Sequence, residues 1–257
     1  MACRIARTRE WAVRITHEAS YYDVNSFVTL TFSEDYLPPS GSLDKRYLQL
    51  FFKRMRKNLN EQIKYFACGE YGEVNKRPHY HAIIFGYWPE DAELHERTKN
   101  GPVFKSRSLS ELWPYGFSTV ANVEYESIAY VTGYIEKKLN GEKAKEEYIG
   151  LTPPFQIQSH GIGERWILDN EKWVRDNGGI RLRGKTVGIP RFYAKKVNLS
   201  DVLKKQEEER KENLSNSLKK MGYTSPEEQH FAEEDNAEYK KQQLEGYEKL
   251  FKRRKEL

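Results

Sequence analysis

Two histidines, His79 and His81, stand two positions apart in the run Pro78-His79-Tyr80-His81-Ala82-Ile83-Ile84-Phe85. Alternation along a strand sends both side chains to one face, where their ring nitrogens can meet a single ion. Residues 63 to 70 read as a partner strand, and the connection from Tyr71 to Arg77 is short enough for an antiparallel hairpin. With the turn centred near residues 74 to 75, Glu70 falls across from the histidines and is the expected third ligand; Glu73, in the turn, is the alternative if the register differs. Two imidazoles and one carboxylate fill only part of an octahedron, leaving places for water and a phosphate oxygen. Mg²⁺ or Mn²⁺ suits such a donor set, with Mn²⁺ better matched to nitrogen. Taken alone, a His-x-His pair in a strand is more often a packed pair than a ligand set.

A second group with chemical potential is Tyr130 and Tyr134, followed by Lys137 and Lys138. At about 100° per residue these four share one helix face, whereas Ile128, Val131, Ile135 and Leu139 form a separate aliphatic stripe. The tyrosines are therefore not the core stripe, although aromatics at the rim of a core would have the same spacing. Gly133 costs a helix about 1 kcal/mol relative to alanine and leaves room there for a close backbone. A phenol, with a pKa of about 10, is a poor nucleophile at neutral pH unless a cation or a base assists it. Lys137 or Lys138 could stabilise a phenolate, or a phosphate after attack.

These groups need a scaffold. Residues 4 to 20 read as a basic amphipathic helix, 26 to 33 as an alternating strand, 44 to 59 as a helix, 63 to 70 and 78 to 86 as the hairpin, 106 to 113 as a short helix, 116 to 123 as a strand and 126 to 139 as a helix. Residues 87 to 105 read as a polar excursion. The order β-α-β-β-α-β-α predicts an α+β fold, a central antiparallel sheet of four strands with helices on one face, ferredoxin-like or RRM-like, leaving the other face for the site. The expected division is a domain over 1–150, an accessory subdomain over 151–199 packed on it, and a charged helical or disordered tail over 200–257.

The 257 residues carry 43 Lys/Arg against 38 Asp/Glu, net +5. The tail from residue 200 holds 13 basic against 14 acidic residues, so the excess lies in the first 199. With 17 Tyr, 12 Phe and 5 Trp, that excess suits a polyanion whose bases stack on rings. Arg191, Phe192, Tyr193, Lys195 and Lys196 interleave cations and rings in this way, and His160 lies in a loop. Two cysteines, Cys3 and Cys68, are too few for a stapled fold or a Cys-rich zinc site; with no stretch of signal-peptide form, a reducing cytosol is expected. Mean hydropathy is -0.86, and no stretch approaches the roughly 20 apolar residues of a membrane span, so a soluble protein is expected.

Phe27-Val28-Thr29-Leu30-Thr31-Phe32, Gly69-Glu70-Tyr71-Gly72, Arg77-Pro78-His79-Tyr80-His81 and Tyr130-x-x-x-Tyr134-x-x-Lys137-Lys138, taken in order, resemble the HUH endonuclease superfamily. Within it the chain looks especially like the replication initiators of Microviridae single-stranded DNA phages, gokushovirus type. The resemblance runs from about residue 3 to 197 and includes Arg9-Glu10-Trp11-Ala12, His17-Glu18-Ala19 and Gly188-Ile189-Pro190-Arg191-Phe192-Tyr193. It implies that His79, His81 and Glu70 hold a divalent ion and that Tyr130 and Tyr134 are the nucleophiles of a rolling-circle initiator. One tyrosine nicks an origin, keeping a 5′-phosphotyrosine and freeing a 3′-OH primer; the second cuts the regenerated origin, and the 3′-OH closes the circle. It further implies single-stranded origin DNA contacted by Lys138, Arg191, Phe192, Tyr193 and Lys195, help from a host helicase and DNA polymerase, and a place in the cytoplasm of the bacterial host. Where related proteins often carry a second cysteine soon after the first, this chain has Cys3-Arg4-Ile5-Ala6, which argues against an N-terminal metal site. A plasmid or transposon relaxase or transposase would share the chemistry, whereas a non-enzymatic single-stranded nucleic-acid-binding module would need neither the histidines nor Tyr134.

Overall fold

A computed structural model describes residues 2–60, 62–72, 75–137 and 148–235, with the side chains of 134–137 outside that description. The chain divides into two compact units, Ala2–Asp169 and the part from Asn170 onward. The division falls at 169 rather than near 150, because strand β7 (Phe155–Gln158) pairs with β2 (Tyr65–Tyr71) and so completes the sheet of the first unit.

That sheet has seven strands, in the order β4-β5-β6-β1-β3-β2-β7 and antiparallel throughout. β1 (Asn25–Phe32) sits at its centre between β3 (Pro78–Phe85) and β6 (Gly116–Asn122). Its alternation is decisive: Ser26, Val28, Leu30 and Phe32 are buried on one face, while Phe27, Thr29 and Thr31 point to the other. On the first face lies α2 (Lys45–Leu59), burying Leu48, Phe51, Phe52 and Met55 at helical spacing. Asp44 starts it by accepting from the Arg46 amide at 2.7 Å, and Asn60 ends it in the left-handed region. The same layer includes α3 (Arg107–Leu112), started by Ser106 accepting from the Leu109 amide.

The expected single helical layer is in fact two. α1 (Ala2–Ala19) and α4 (Tyr125–Lys137) pack Trp11, Ala12, Ile15, Ile128 and Val131 onto Phe66, Cys68, Ile83 and Phe85 of the opposite face. β2 and β3 are buried on both sides, and for this reason they read as continuous apolar runs. α1 also carries buried polar groups that fasten the segment after β7. Glu18 pairs with Lys64 at 2.8 Å and accepts from the Gly163 amide at 2.6 Å, Arg14 Nε donates to the Ile162 carbonyl at 3.0 Å, and the His17 ring stacks on Trp166 at 3.6 Å.

Residues 87–105 depart from the expected excursion. They contain β4 (Glu93–Thr98) and β5 (Gly101–Lys105), a hairpin that extends the sheet beyond β6. Every residue of β4 is exposed, so the strand has no buried face and shows no apolar alternation to betray it.

In the second unit, helix α5 (Glu164–Asn177), which begins in the first, is followed by the short hairpin β8 (Ile180–Leu182) and β9 (Lys185–Val187), then α6 (Arg191–Lys196) and α7 (Ser200–Lys220). Arg175 ties this unit together, bonding Glu171, Asp201 and the carbonyls of Val197 and Asn198. The charged tail is thus helical over 200–220, and residues 236–257 lie outside the described part. Among the described residues no helix is long and apolar enough to cross a membrane.

Candidate metal centre

The hairpin of β2 and β3 pairs Glu70 with His79 and Cys68 with His81, the register anticipated from the position of the turn. All four side chains therefore share the face that also carries Phe27, Thr29 and Thr31 of β1. Glu70 Oε1 lies 2.9 Å from His79 Nε2 and 2.9 Å from His81 Nε2. One ligand atom from each residue lies within 4.8 Å of the others. Glu70 and His81 are each 5% exposed. A buried carboxylate oxygen facing two imidazole nitrogens is a donor set that fits a divalent ion, with room left in its coordination shell for other ligands. Glu73, the alternative third ligand, lies outside the described residues.

The outer nitrogens are held as well. His79 Nδ1 donates to the Arg77 carbonyl at 3.2 Å, since a carbonyl can only accept, and this turns Nε2 toward Glu70. His81 Nδ1 bonds Thr29 Oγ1 at 3.0 Å, and its ring stacks on Phe27 at 5.4 Å with the planes 7° apart. Such outer partners orient metal-binding imidazoles. Sequence reasoning misses Thr29 and Phe27 as members of the site. Their signal is parity: β1 alternates Phe27-Thr29-Thr31 on the histidine side, but using it requires the pairing of β1 with β3.

Electrostatics separate the two histidines. Burial lowers the proton affinity of His79, but the hydrogen bond and charge of Glu70 outweigh it and raise its pKa above the usual histidine value. For His81 burial wins, and its pKa is lowered. Burial also opposes ionisation of Glu70, yet the two imidazoles bring its pKa below the usual carboxylate range. The site is therefore an ionised Glu70 between a readily protonated His79 and a neutral His81. Cys68, fully buried beneath, has its thiol pushed well above the ordinary value, as a packed core residue would.

α4 brings Tyr130 to this cluster. Its hydroxyl donates to Glu70 Oε1 at 3.3 Å, its ring meets His81 edge-on at 5.2 Å, and the residue is 47% exposed. Tyr134 and Lys137 lie on the same helix with side chains outside the described part, and Lys138 lies outside it altogether. Gly133 has open space where a side chain would begin, so the close backbone approach anticipated there is not made by any described residue. Beside His79 is a cavity of about 330 Å³ lined by Thr31, Phe32, Gly72, Asn75, Arg77 and Pro78. The Arg77 guanidinium pairs with Glu34 and donates to the Phe32 carbonyl at 3.0 Å.

The interleaved run of the second unit forms helix α6 rather than an extended segment. Arg191 and Lys195 are exposed and Phe192 is half-buried, but Tyr193 is completely buried and offers no ring face to a base.

Residues 25–139 match the family model of the replication-associated protein ORF2 type. The chain is 34% identical to replication-associated protein VP4 of Bdellovibrio phage phiMH2K, over 74% of this chain and 63% of that protein. It is 31% identical to replication-associated protein ORF2 of Spiroplasma virus 4, over 76% of this chain and 63% of that one. With replication-associated protein ORF4 of Chlamydia phage 1 it shares 29% identity, over 74% of this chain and 50% of the other. The chain thus spans between half and somewhat under two thirds of the length of these relatives. No solved structure matches it. The matched span contains β1, the histidine hairpin and the tyrosine helix, and over that span the chain belongs to the replication-associated protein ORF2 family.

Proposed function

We propose that this chain initiates rolling-circle replication as an HUH-type endonuclease, nicking and rejoining single-stranded DNA through tyrosine. The observation that carries the reading is the convergence at Glu70 Oε1 of His79, His81 and the Tyr130 hydroxyl, from two strands and a helix. A nucleophile beside a ligand set is the arrangement that phosphoryl transfer to an enzyme side chain requires. Relatives that are replication-associated proteins of phages favour an initiator over a relaxase or transposase.

His79 Nε2, His81 Nε2 and Glu70 would hold the divalent ion, Mn²⁺ or Mg²⁺. When bound there it would supply Lewis-acid polarisation of a phosphate oxygen. The protein's own part is geometric and electrostatic. Arg77 O and Thr29 fix the imidazoles, and Glu70 accepts the Tyr130 hydrogen bond at the atom from which the proton leaves. The Tyr130 oxygen attacks the scissile phosphorus, the bond to the 3′ oxygen breaks, and that oxygen leaves as a 3′-OH. The 5′-phosphotyrosine keeps the energy of the broken bond, so a later attack by a 3′-OH restores the phosphodiester and frees the tyrosine without ATP. Tyr134, one helical turn on, serves the second cleavage, and Lys137 stabilises charge on the phenolate or phosphate. Lys138, Arg191, Phe192 and Lys195 contact the origin strand, and host helicase and polymerase extend the primer in the bacterial cytoplasm.

Incubation of the protein with labelled single-stranded DNA from its own genome and Mn²⁺ or Mg²⁺ tests this. A denaturant-resistant adduct is expected, lost in His81→Ala and in the double variant Tyr130→Phe/Tyr134→Phe. An adduct that persists in the double variant sinks the assignment of the nucleophile, and no adduct with any segment of the genome sinks the enzyme.

A further inference from the structure

The ligand-bearing face of the sheet continues beyond the ligands. The register places Phe117 of β6 opposite Thr31, Thr31 opposite His79 and His79 opposite Glu70, so the four form one row across β6, β1, β3 and β2. Thr119, Thr29, His81 and Cys68 form the next row. Residues paired in this way share a face, and two strand spacings put Phe117 about 10 Å from His79 across the sheet.

Phe117 is 64% exposed and belongs to neither core cluster. An exposed phenylalanine alone is ordinary. This one is set apart by its place in the ligand row and by how firmly it is held. A side chain at Gly116 would meet Ser33 N and Thr31 O at 2.4 Å, so the glycine lets β6 lie tight against the end of β1. Ser33 N donates to Tyr115 O at 3.0 Å on one side, and Thr31 Oγ1 donates to Phe117 O at 3.4 Å on the other. The ring thus projects from fixed backbone, next to the half-buried hydroxyls of Thr31 and Thr119.

We infer that Phe117 is a stacking platform for a base of the single strand whose phosphate reaches the His79–His81–Glu70 cluster, with Thr31 and Thr119 flanking the sugar-phosphate chain. This rests on the single-strand reading above. DNA suits the surface better than an apolar protein partner, because the ring stands alone among hydroxyls and the row leads directly to the phosphate-directed site. A ring and hydroxyls can take any base face without selecting its sequence.

The test is fluorescence anisotropy with a labelled single-stranded oligodeoxynucleotide of mixed sequence, on wild type, Phe117→Ala and Phe117→Tyr. Phe117→Ala is expected to bind ~5- to 100-fold more weakly, and Phe117→Tyr to stay within about twofold of wild type. All three should unfold at the same urea midpoint, since the side chain is exposed. Unchanged affinity in Phe117→Ala overturns the platform while leaving the nuclease standing, provided wild type binds the strand and forms the adduct. A wild type that binds no single strand removes both. Loss of self-association in Phe117→Ala with DNA affinity intact overturns it in favour of a contact between copies.

Discussion

Glu70→Gln keeps the shape of the carboxylate and removes its charge, at the atom on which the whole centre converges. In wild type, an ion at a hundredfold its Kd stabilises the folded state by about 2.7 kcal/mol. For a unit of the size of Ala2–Asp169 that is a rise in Tm of roughly 5–11 °C. Loss even of an outer partner weakens metal sites by about 10- to 100-fold, and Glu70 is one of only three protein ligands, so the upper figure is the minimum expected. At the same metal concentration the stabilisation then falls to about 0.4 kcal/mol, a shift of roughly 1–2 °C. Calorimetric melting of both proteins with Mn²⁺, and again with chelator, measures the difference. The pH dependence has a definite sign. His79, raised from 6.5, stabilises the metal-free fold at low pH and loses that contribution as pH climbs through its folded value; Glu70, lowered from 4.5, contributes above 4.5 and loses it as pH falls. The metal-free pair is therefore strongest between 4.5 and 6.5, where an ion must displace the His79 proton, and Mn²⁺ affinity should rise with pH above that window. An Mn²⁺-dependent Tm shift as large in Glu70→Gln as in wild type would refute the ligand assignment.

Three further outcomes concern the scaffold. Burial lowers the pKa of His17 to about 4, so stability should be whole above 6.5 and fall toward 4 by on the order of 3 kcal/mol; His17→Phe, keeping the stack on Trp166, should flatten that slope in urea titrations at a series of pH values. Gly116→Ala should cost about 1–3 kcal/mol by pushing β6 off the backbone of Thr31 and Ser33, measurable as a lower urea midpoint. Cys68, buried with a raised pKa, should resist thiol reagents in the native protein and react in denaturant; rapid native labelling would contradict its place beneath the histidines.

The expected centre followed from local pattern alone. His-x-His in a strand fixes a shared face, and a short connection limits the register, so Glu70 opposite His79 needed no long-range information. The helix of Tyr130 was likewise legible, because its aliphatic stripe and its tyrosines separate at helical spacing. Three features were not. β4, exposed along its whole length, has no apolar period and becomes a strand only by pairing with β5. The second helical layer was hidden because β2 and β3, apolar on both sides, do not say how many layers cover them. Tyr193 was misplaced among ring faces for DNA, since an amphipathic side chain in a basic run looks the same whether its ring is buried or free.

The sequence by itself thus determined which residues share a face, through periods of two and 3.6 that are properties of the local backbone. Only tertiary structure decided which faces meet. Pairing between β1 and β3, distant in the chain, set Thr29 and Phe27 against His81, packing of α4 on the sheet brought the Tyr130 hydroxyl to Glu70, and the row across β6 put Phe117 in line with both. Those contacts join residues separated by 52 and 60 positions, and their formation depends on the loop closures and burial of the whole unit rather than on any segment's own preference.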